Sequence, residues 1–395
     1  MTSINLRRSI FIIALLAPIL SFFCCKPENN YIEVISIDPT KAKNINLSLF
    51  VDTVKYIVLE TNPHSMLGSR ISRIEVKEKY IYVGDIDQQA VFIFDKTGRY
   101  ITKLAKQGRG PDEYLRFGHF LVDEKENHID MIEFSGRYNR LLRYNNLTFD
   151  LITIDTLPAI TAYTVRRVDD VYFFGNQRRN NLIDNELVNA DIIIVKDGKI
   201  KKILFQNPVT DENNFFSVNP ETFTINDDNE IFASILYDNV FYQIKNYEAI
   251  PIFEVDFGRY NFNNEIKFEN TSRQIDYWSN NPYVASFPVL NVNNSKLFSF
   301  SYGFDKIEHQ YIVIKNTDKT IHAKAINNDL TGFPENITLS SNRYGINHDV
   351  WQNGYINDIF IPGVLISEKD SVYLPGAGTI NSRNNPVIVR MRLRK

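Results

Sequence analysis

From residue 69 onward the chain states one short pattern and then repeats it. In its first form, "SRIEVK", "YIYVGD" (80–85), "AVFIFD" (90–95) and "RYITKLAK" (99–106) are four strand-like runs joined by the tight turns "KEK" and "DKTG". Apolar and polar residues alternate, or apolar residues run on briefly. That is how half-buried and fully buried strands read, not amphipathic helices. Gly98 supplies the positive φ that such a hairpin turn demands. Variations follow over 118–154, 162–205, 222–257 and 287–326. A weaker one runs from "YGINHDV" near 344 through "SVYLPG" at 371 to "PVIVRMRLRK". First strands thus begin near 70, 118, 162, 222, 287 and 345, at spacings of roughly 45 to 65 residues. A four-stranded meander repeated at that period is the mark of a β-propeller.

The count also accounts for an orphan. "VKYIVLE" (54–60) stands before the first unit, and the sixth unit lacks a clear fourth strand. Pairing the two closes the ring and removes its sheet edges. The fold read from the sequence is therefore all-β. It is a six-bladed β-propeller of four-stranded antiparallel blades over 53–395, closed by an N-terminal strand. One segment departs from the pattern: "GRYNFNNEIKFENTSRQIDYWSNNPY" is read as an inserted loop over about 258–285, with a short helix around 265–278. Insertions in repeat folds gather on one face. Composition agrees, since an aromatic content of 13% suits pleated surfaces. A net charge of −3 gives no steering toward nucleic acid. The basic ending "RMRLRK" alternates its charges with Met and Leu, as an edge strand does.

The beginning of the chain reads as an address. "MTSINLRRSIFIIALLAPILSFFCCK" places Arg7 and Arg8 before an apolar run over 10–23 that Pro18 interrupts, the layout of a secretory signal over 1–24. Cys24 and Cys25 are the only cysteines, so no disulfide framework exists. A cysteine at the end of an export signal points to lipidation, at Cys25 in preference to Cys24, because Cys24 then fills the small-residue position before the cleavage site. Residues 25–52, polar and marked by Pro27 and Pro39, read as a tether with one short strand.

Between the first two units lies "KQGRGPDEY" (106–114). A phosphate loop would open a helix and carry a Lys-Ser/Thr pair, whereas a strand follows here. The stretch is read as an inter-blade hinge. Gly108 and Gly110 permit positive-φ bends, Pro111 fixes the next φ, Glu113 accepts backbone N–H groups and Tyr114 plugs the gap between blades. With Leu59-Glu60-Thr61, Gly68-Ser69, the run Phe94 to Arg99, and Gly108-Arg109-Gly110-Pro111, the chain resembles the six-bladed β-propeller lipoproteins of Bacteroidetes, relatives of NHL-repeat propellers. Asp112 stands where that pattern has a third glycine. The close match covers roughly 54–125. The resemblance implies a propeller at the cell envelope, lipid-anchored to the outer membrane on an undetermined face, and brings no assigned catalytic residues.

Motifs of chemistry are missing. The six histidines have no ligand spacing, and neither a nucleophile elbow nor an EF-hand series occurs. No metal site or cofactor is indicated. Propellers build sites from loops of different blades instead, and the loops entering the first strands offer the candidate ligand-binding face. They supply Tyr114, Arg116, His119, Tyr163, Arg166, Tyr283, Arg343, Tyr344, His348 and Asp349, with Phe215, Phe216 and Phe287 beside them. Aromatics with Arg and His suit stacking on sugar rings or holding anionic groups. The expected function is a monomeric, non-catalytic binding module for a glycan, peptide or partner protein. The alternative is a propeller hydrolase with an axial-channel site, either lactonase-like with an axial calcium or glycosidase-like.

Overall fold

Six antiparallel sheets follow one another along the chain, each with its strands hydrogen-bonded side by side. The computed structural model describes residues 32–134, 136, 138–209 and 221–394. The export segment with Cys24 and Cys25, and Phe215 and Phe216, fall outside them. Blade 1 is Ile71–Val76, Tyr80–Asp85, Ala90–Asp95 and Tyr100–Leu104. Blade 2 is Phe117–Asp123, His128–Phe134, Asn139–Asn145 and Leu151–Leu157. Blade 3 is Thr164–Val168, Val171–Gly175, Glu186–Lys196 and Lys199–Asn207. Blade 4 is Phe223–Ile225, Ile231–Ser234, Val240–Lys245 and Glu248–Asp256. Blade 5 is Ser286–Asn293, Leu297–Phe304, Ile307–Ile314 and Lys319–Asn327. Blade 6 is Trp351–Gln352, Tyr355–Phe360 and Val387–Leu393, completed by Val51–Val58 from the other end of the chain.

The core sits between blades. Tyr82, Val91 and Ile93 of blade 1 bury themselves against Phe117, Phe120 and Met131 of blade 2. Comparable clusters join blades 2 and 3, 3 and 4, 4 and 5, and 5 and 6. A further cluster sets Ile57, Ile359 and Ile388 of blade 6 against Ile74, Ile81 and Phe92 of blade 1. Open sheets in a row would lack that last interface, so the ring is closed. Its lock is antiparallel pairing of Tyr56 with Val389, Ile57 with Ile388 and Val58 with Val387. Gly98 of the blade 1 hairpin touches the lock: its φ is +89°, and an added Cβ would lie 2.2 Å from the Val58 carbonyl oxygen. Its own carbonyl accepts from the Glu60 amide.

Four details differ from the sequence reading. Ile346–His348 does not open blade 6 but pairs in parallel with the first strand of blade 1, Asn347 beside Arg73 and His348 beside Ile74. The first strand of blade 6 is the two-residue Trp351–Gln352, whose short register was hidden by Gly354 and the polar turn after it. Ser371–Leu374 pairs only with Gly378–Asn381, a hairpin outside the blades. The stretch expected as a tether is folded from Glu33 on. Glu33–Ser36 adds in parallel to the outer strand of blade 4, and Lys43–Asn46 to that of blade 5, before the chain enters blade 6. Three successive outer edges are thereby covered, with Leu47 and Phe50 buried beneath.

The hinge keeps its role by other means. Tyr114 is wholly buried and meets Phe117 and Tyr144 edge-on across the blade 1–blade 2 boundary. Its hydroxyl donates to the Gln89 carbonyl at 2.6 Å. Neither Gly108 nor Gly110 has a positive φ. Gly108 is needed for room: a Cβ there would lie 1.9 Å from Glu113 Oε2, the oxygen that accepts from the Gly110 amide at 2.6 Å. The inserted segment 258–285 holds the helix Thr271–Asn280, capped by the Asn270 side chain accepting from the Arg273 amide.

Candidate functional site

The first strand of each blade lies nearest the axis, so residues on its inward face meet those of other blades. Arg73 and Glu75 of blade 1, Arg166 of blade 3, Glu221 just before blade 4 and Asp349 just before blade 6 join there. Arg73 donates through Nε to Glu75 (3.0 Å), through Nη1 to Glu221 (2.9 Å) and through Nη2 to Asp349 (2.9 Å). Arg166 Nη2 donates to the same oxygens of Glu221 (3.1 Å) and Asp349 (2.9 Å). Lys77 Nζ lies 2.8 Å from Glu75 Oε2. Three cations face three carboxylates, so the plug is neutral. Burial works against the Arg73 charge, yet Asp349, Glu75 and Glu221 hold it well above the ordinary range. Burial pushes Glu221 up to about 7, opposed by Arg73.

The plug separates two openings. On the upper face, where first strands begin, a cavity of about 540 Å³ has Arg73 and Glu221 in its floor. Its walls include Arg116, His119 and Phe134 of blade 2, Tyr163, Thr164 and Arg179 of blade 3, and Asn347. On the lower face an opening of about 410 Å³ is lined by Glu75, Lys77, Arg166, Arg167, Asp349 and Trp351, among others.

In the upper cavity His119 is kept neutral. Burial lowers its pKa to about 4, and its Nε2 lies 3.2 Å from the Ala162 carbonyl, so that nitrogen carries the proton. The ring stands edge-on to Phe134 at 5.6 Å between centroids. Gly118 lets Phe134 come close: a Cβ there would lie 2.3 Å from the ring. Arg179 spreads its guanidinium 3.9 Å above the Tyr163 ring centroid, a cation–π contact that fixes both. Asn181, on the strand Asn180–Ile183 that extends blade 3 upward, accepts from the Thr161 amide at 2.7 Å and so braces the same wall.

Of the sequence-derived residues, the cavity thus brings together Arg116, His119 and Tyr163. Arg166 and Asp349 belong to the plug. His348 is buried, lowered in pKa by that burial, and lies against the axis with Nδ1 near the Ile346 carbonyl. Arg343 is spent on Asp358 and on the Tyr344 ring, 5.1 Å away. Tyr283 projects outward, 62% exposed, edge-on to Phe304, and Tyr344 is likewise on the surface. Tyr114 is buried in the cluster between blades 1 and 2. Sequence reasoning passed over Arg73, Glu75 and Lys77, whose spacing of two inside "SRIEVKEK" puts three charges on one face of an innermost strand. It also passed over Glu221, Arg179, Thr164 and Asn347, which no local pattern marks.

The root of the blade 3 extension holds a second perturbed acid. Asp191 is buried, accepts from Asn207 Nδ2 at 3.0 Å, and leaves Oδ1 without a hydrogen-bond partner among the described residues. Burial pushes it up to about 7. The folded state then binds a proton that the unfolded chain releases near its ordinary value of 3.8, so stability falls as pH rises from about 4 to 7 and is level above. The full span of the shift corresponds to about 4 kcal/mol. Asp191→Asn is expected to flatten that slope and to raise the urea midpoint at pH 8 while leaving it nearly unchanged at pH 4, read from unfolding curves at both.

Among the described residues no three His, Cys, Asp or Glu side chains come together to hold a metal ion, and no helix is long and apolar enough to cross a membrane. Two solved structures share the architecture. One is a protein of Bacteroides fragilis described as exported, 15% identical, with a TM-score of 0.66 over 92% of this chain and 100% of that one. The other is a member of the DUF4221 family from Bacteroides vulgatus, 10% identical, with a TM-score of 0.50 over 87% of this chain and 97% of that one. At such identities they show the fold alone. No curated protein matches the chain significantly. The match that spans the propeller is to a family defined by sequence: over residues 32–392 the chain belongs to DUF4934, a domain of unknown function.

Proposed function

We propose that this protein is a non-catalytic binding module of the cell envelope, lipid-anchored through Cys25, that holds its ligand in the cavity of the upper face. The observation that carries the reading is the state of the groups around that cavity. Among the described residues its one carboxylate, Glu221, has two arginines on a single oxygen, and its one histidine is neutral and bonded to a backbone carbonyl. A site of about 540 Å³ with polar and aromatic walls and, among the described residues, no acid–base pair is suited to holding a ligand. The export signal, the resemblance to envelope lipoproteins and the exported Bacteroides fragilis protein of the same fold support the location.

Hydrolysis has one observation in its favour: Glu221 is raised to about 7, the range of a general acid. A glycosidase of the usual kind needs a second carboxylate across the bond, and among the described residues none lines this cavity. The test is a screen of purified protein against glycans, peptides and envelope extracts, with Tyr163→Ala as the comparison. Wild type is expected to retain a ligand unchanged in mass, and Tyr163→Ala to lose affinity at least about tenfold through the lost ring face and its cation–π contact with Arg179. Turnover of the ligand that disappears in Glu221→Gln would replace the binding reading with the hydrolytic one.

A further inference from the structure

Within the reading of the upper cavity as a binding site, the wall chemistry narrows the ligand. Arg73 and Glu221 cancel inside the axial plug, so the charge offered to a ligand comes from elsewhere. Arg116 stands on the wall, exposed, with its guanidinium in no hydrogen bond or ion pair among the described residues. A planar, five-donor group left unpaired at a cavity is suited to a carboxylate or sulfate, which it meets with two parallel bonds. Deeper on the wall, Thr164 is 2% exposed and its hydroxyl has no hydrogen-bond partner among the described residues. Burying a hydroxyl without a partner is unfavourable, so the site calls for a polar atom beside it. Asn347 accepts from Asn342 through its oxygen, and its amide N–H₂ makes no hydrogen bond among the described residues. Against these donors stand the Phe134 ring and the Tyr163 ring with its stacked guanidinium. One anion clamp, separate neutral hydrogen-bonding groups and flat aromatic surface are together complementary to a ring that carries both hydroxyls and an acid.

We infer that the cavity takes an acidic carbohydrate of one or two rings, its carboxylate or sulfate on Arg116 and its hydroxyls on Thr164 and Asn347. An aliphatic or aromatic acid would satisfy Arg116 and leave the buried hydroxyl unmatched. A neutral sugar would leave the arginine unmatched. A cavity of this volume lies in the range that small ligands fill.

Calorimetric titration of the purified protein with galacturonic acid, its dimer, galactose 6-sulfate, galactose and benzoate tests this. At least one acidic sugar is expected to bind about tenfold or more tightly than galactose, more weakly as salt is raised, with the carboxylate and sulfate arms showing which anion is preferred. Arg116→Ala is expected to remove that preference and Arg116→Lys to keep part of it, with unfolding curves nearly unchanged because Arg116 is exposed and makes no hydrogen bond or ion pair among the described residues. Thr164→Val is expected to weaken the acidic sugars and spare benzoate. Equal binding of galactose and the acids, unaltered by Arg116→Ala, would overturn the anion clamp while leaving a binding module. Benzoate binding as tightly as any sugar would overturn the carbohydrate. If none of the five binds while the broad screen finds a ligand sensitive to Tyr163→Ala, the inference falls and the function stands; silence in both experiments removes both.

Discussion

Ile57→Asp, a change that alters neither face of the disc, is expected to cost the protein most of its stability. Ile57 sits on the strand that enters blade 6 from the other end of the chain, opposite Ile388, in the cluster that joins blade 6 to blade 1. An unpaired carboxylate there must be buried, protonated or avoided by opening the lock. Burying it costs several kcal/mol even after relaxation. Opening the lock leaves Val387–Leu393 as a bare edge and loses the apolar contacts of the sixth interface. Against a total stability of 5–15 kcal/mol for ordinary domains, a loss of about 4–5 kcal/mol is decisive. The measurement is the urea midpoint together with the rate of limited proteolysis. Cleavage is expected first before blade 1, in 54–70, where the released strand lies. Gly98→Ala is the milder form of the experiment, since its Cβ would press on the Val58 carbonyl of the same lock and its φ of +89° disfavours any side chain. An Ile57→Asp protein as resistant as wild type would show that the ring does not depend on this closure.

The second large effect belongs to the axis. Arg73→Met fills a similar length with apolar atoms but leaves Glu221 with Arg166 alone, Glu75 with Lys77 alone and Asp349 short of one partner. Removing one member of a buried ionic set is strongly destabilising, by about 3–5 kcal/mol, because the charges left behind are uncompensated. The pH dependence has a definite sign. Burial raises Glu221 and Arg73 opposes that rise, so without Arg73 it goes higher still in the folded variant and acidification neutralises it there first. The gap between variant and wild type is therefore expected to shrink as pH falls from 7 toward 4. Arg73→Met with Glu221→Gln is expected to recover part of the loss, a coupling that a double-mutant cycle in urea reads directly. A gap that stays constant with pH would mean that packing around Arg73, not its charge, holds the centre together.

Different parts of the molecule were legible to different degrees. "YIYVGD" and "AVFIFD" announced their strands because both lie in the middle of a blade, where continuous apolar sequence has no other good use. Trp351–Gln352 and Ile346–His348 were misplaced because strands of two and three residues carry too little pattern, and the second pairs with blade 1, far away in sequence. Lys43–Asn46 looked like tether because, as an added edge strand, it buries little of its own side chains. The hinge was found through its glycines, yet Gly108 is there to clear a carboxylate and not to bend backbone. Among site residues, Arg116, His119 and Tyr163 were reached because they flank the starts of first strands. Arg179 was not, for it comes from the loop after the second strand of blade 3.

Alternation, turn chemistry and the period between units were enough to dictate a closed ring of six sheets and the strand that locks it, because those features depend on neighbours a few residues apart and on the need to hide every edge. Which charges would cancel at the centre, and which would be left facing a ligand, was decided only by bringing together positions as far apart as Arg73, Glu221 and Asp349. Electrostatic and hydrogen-bonding partnership acts through space over a few ångströms, and the linear order of residues carries no record of it.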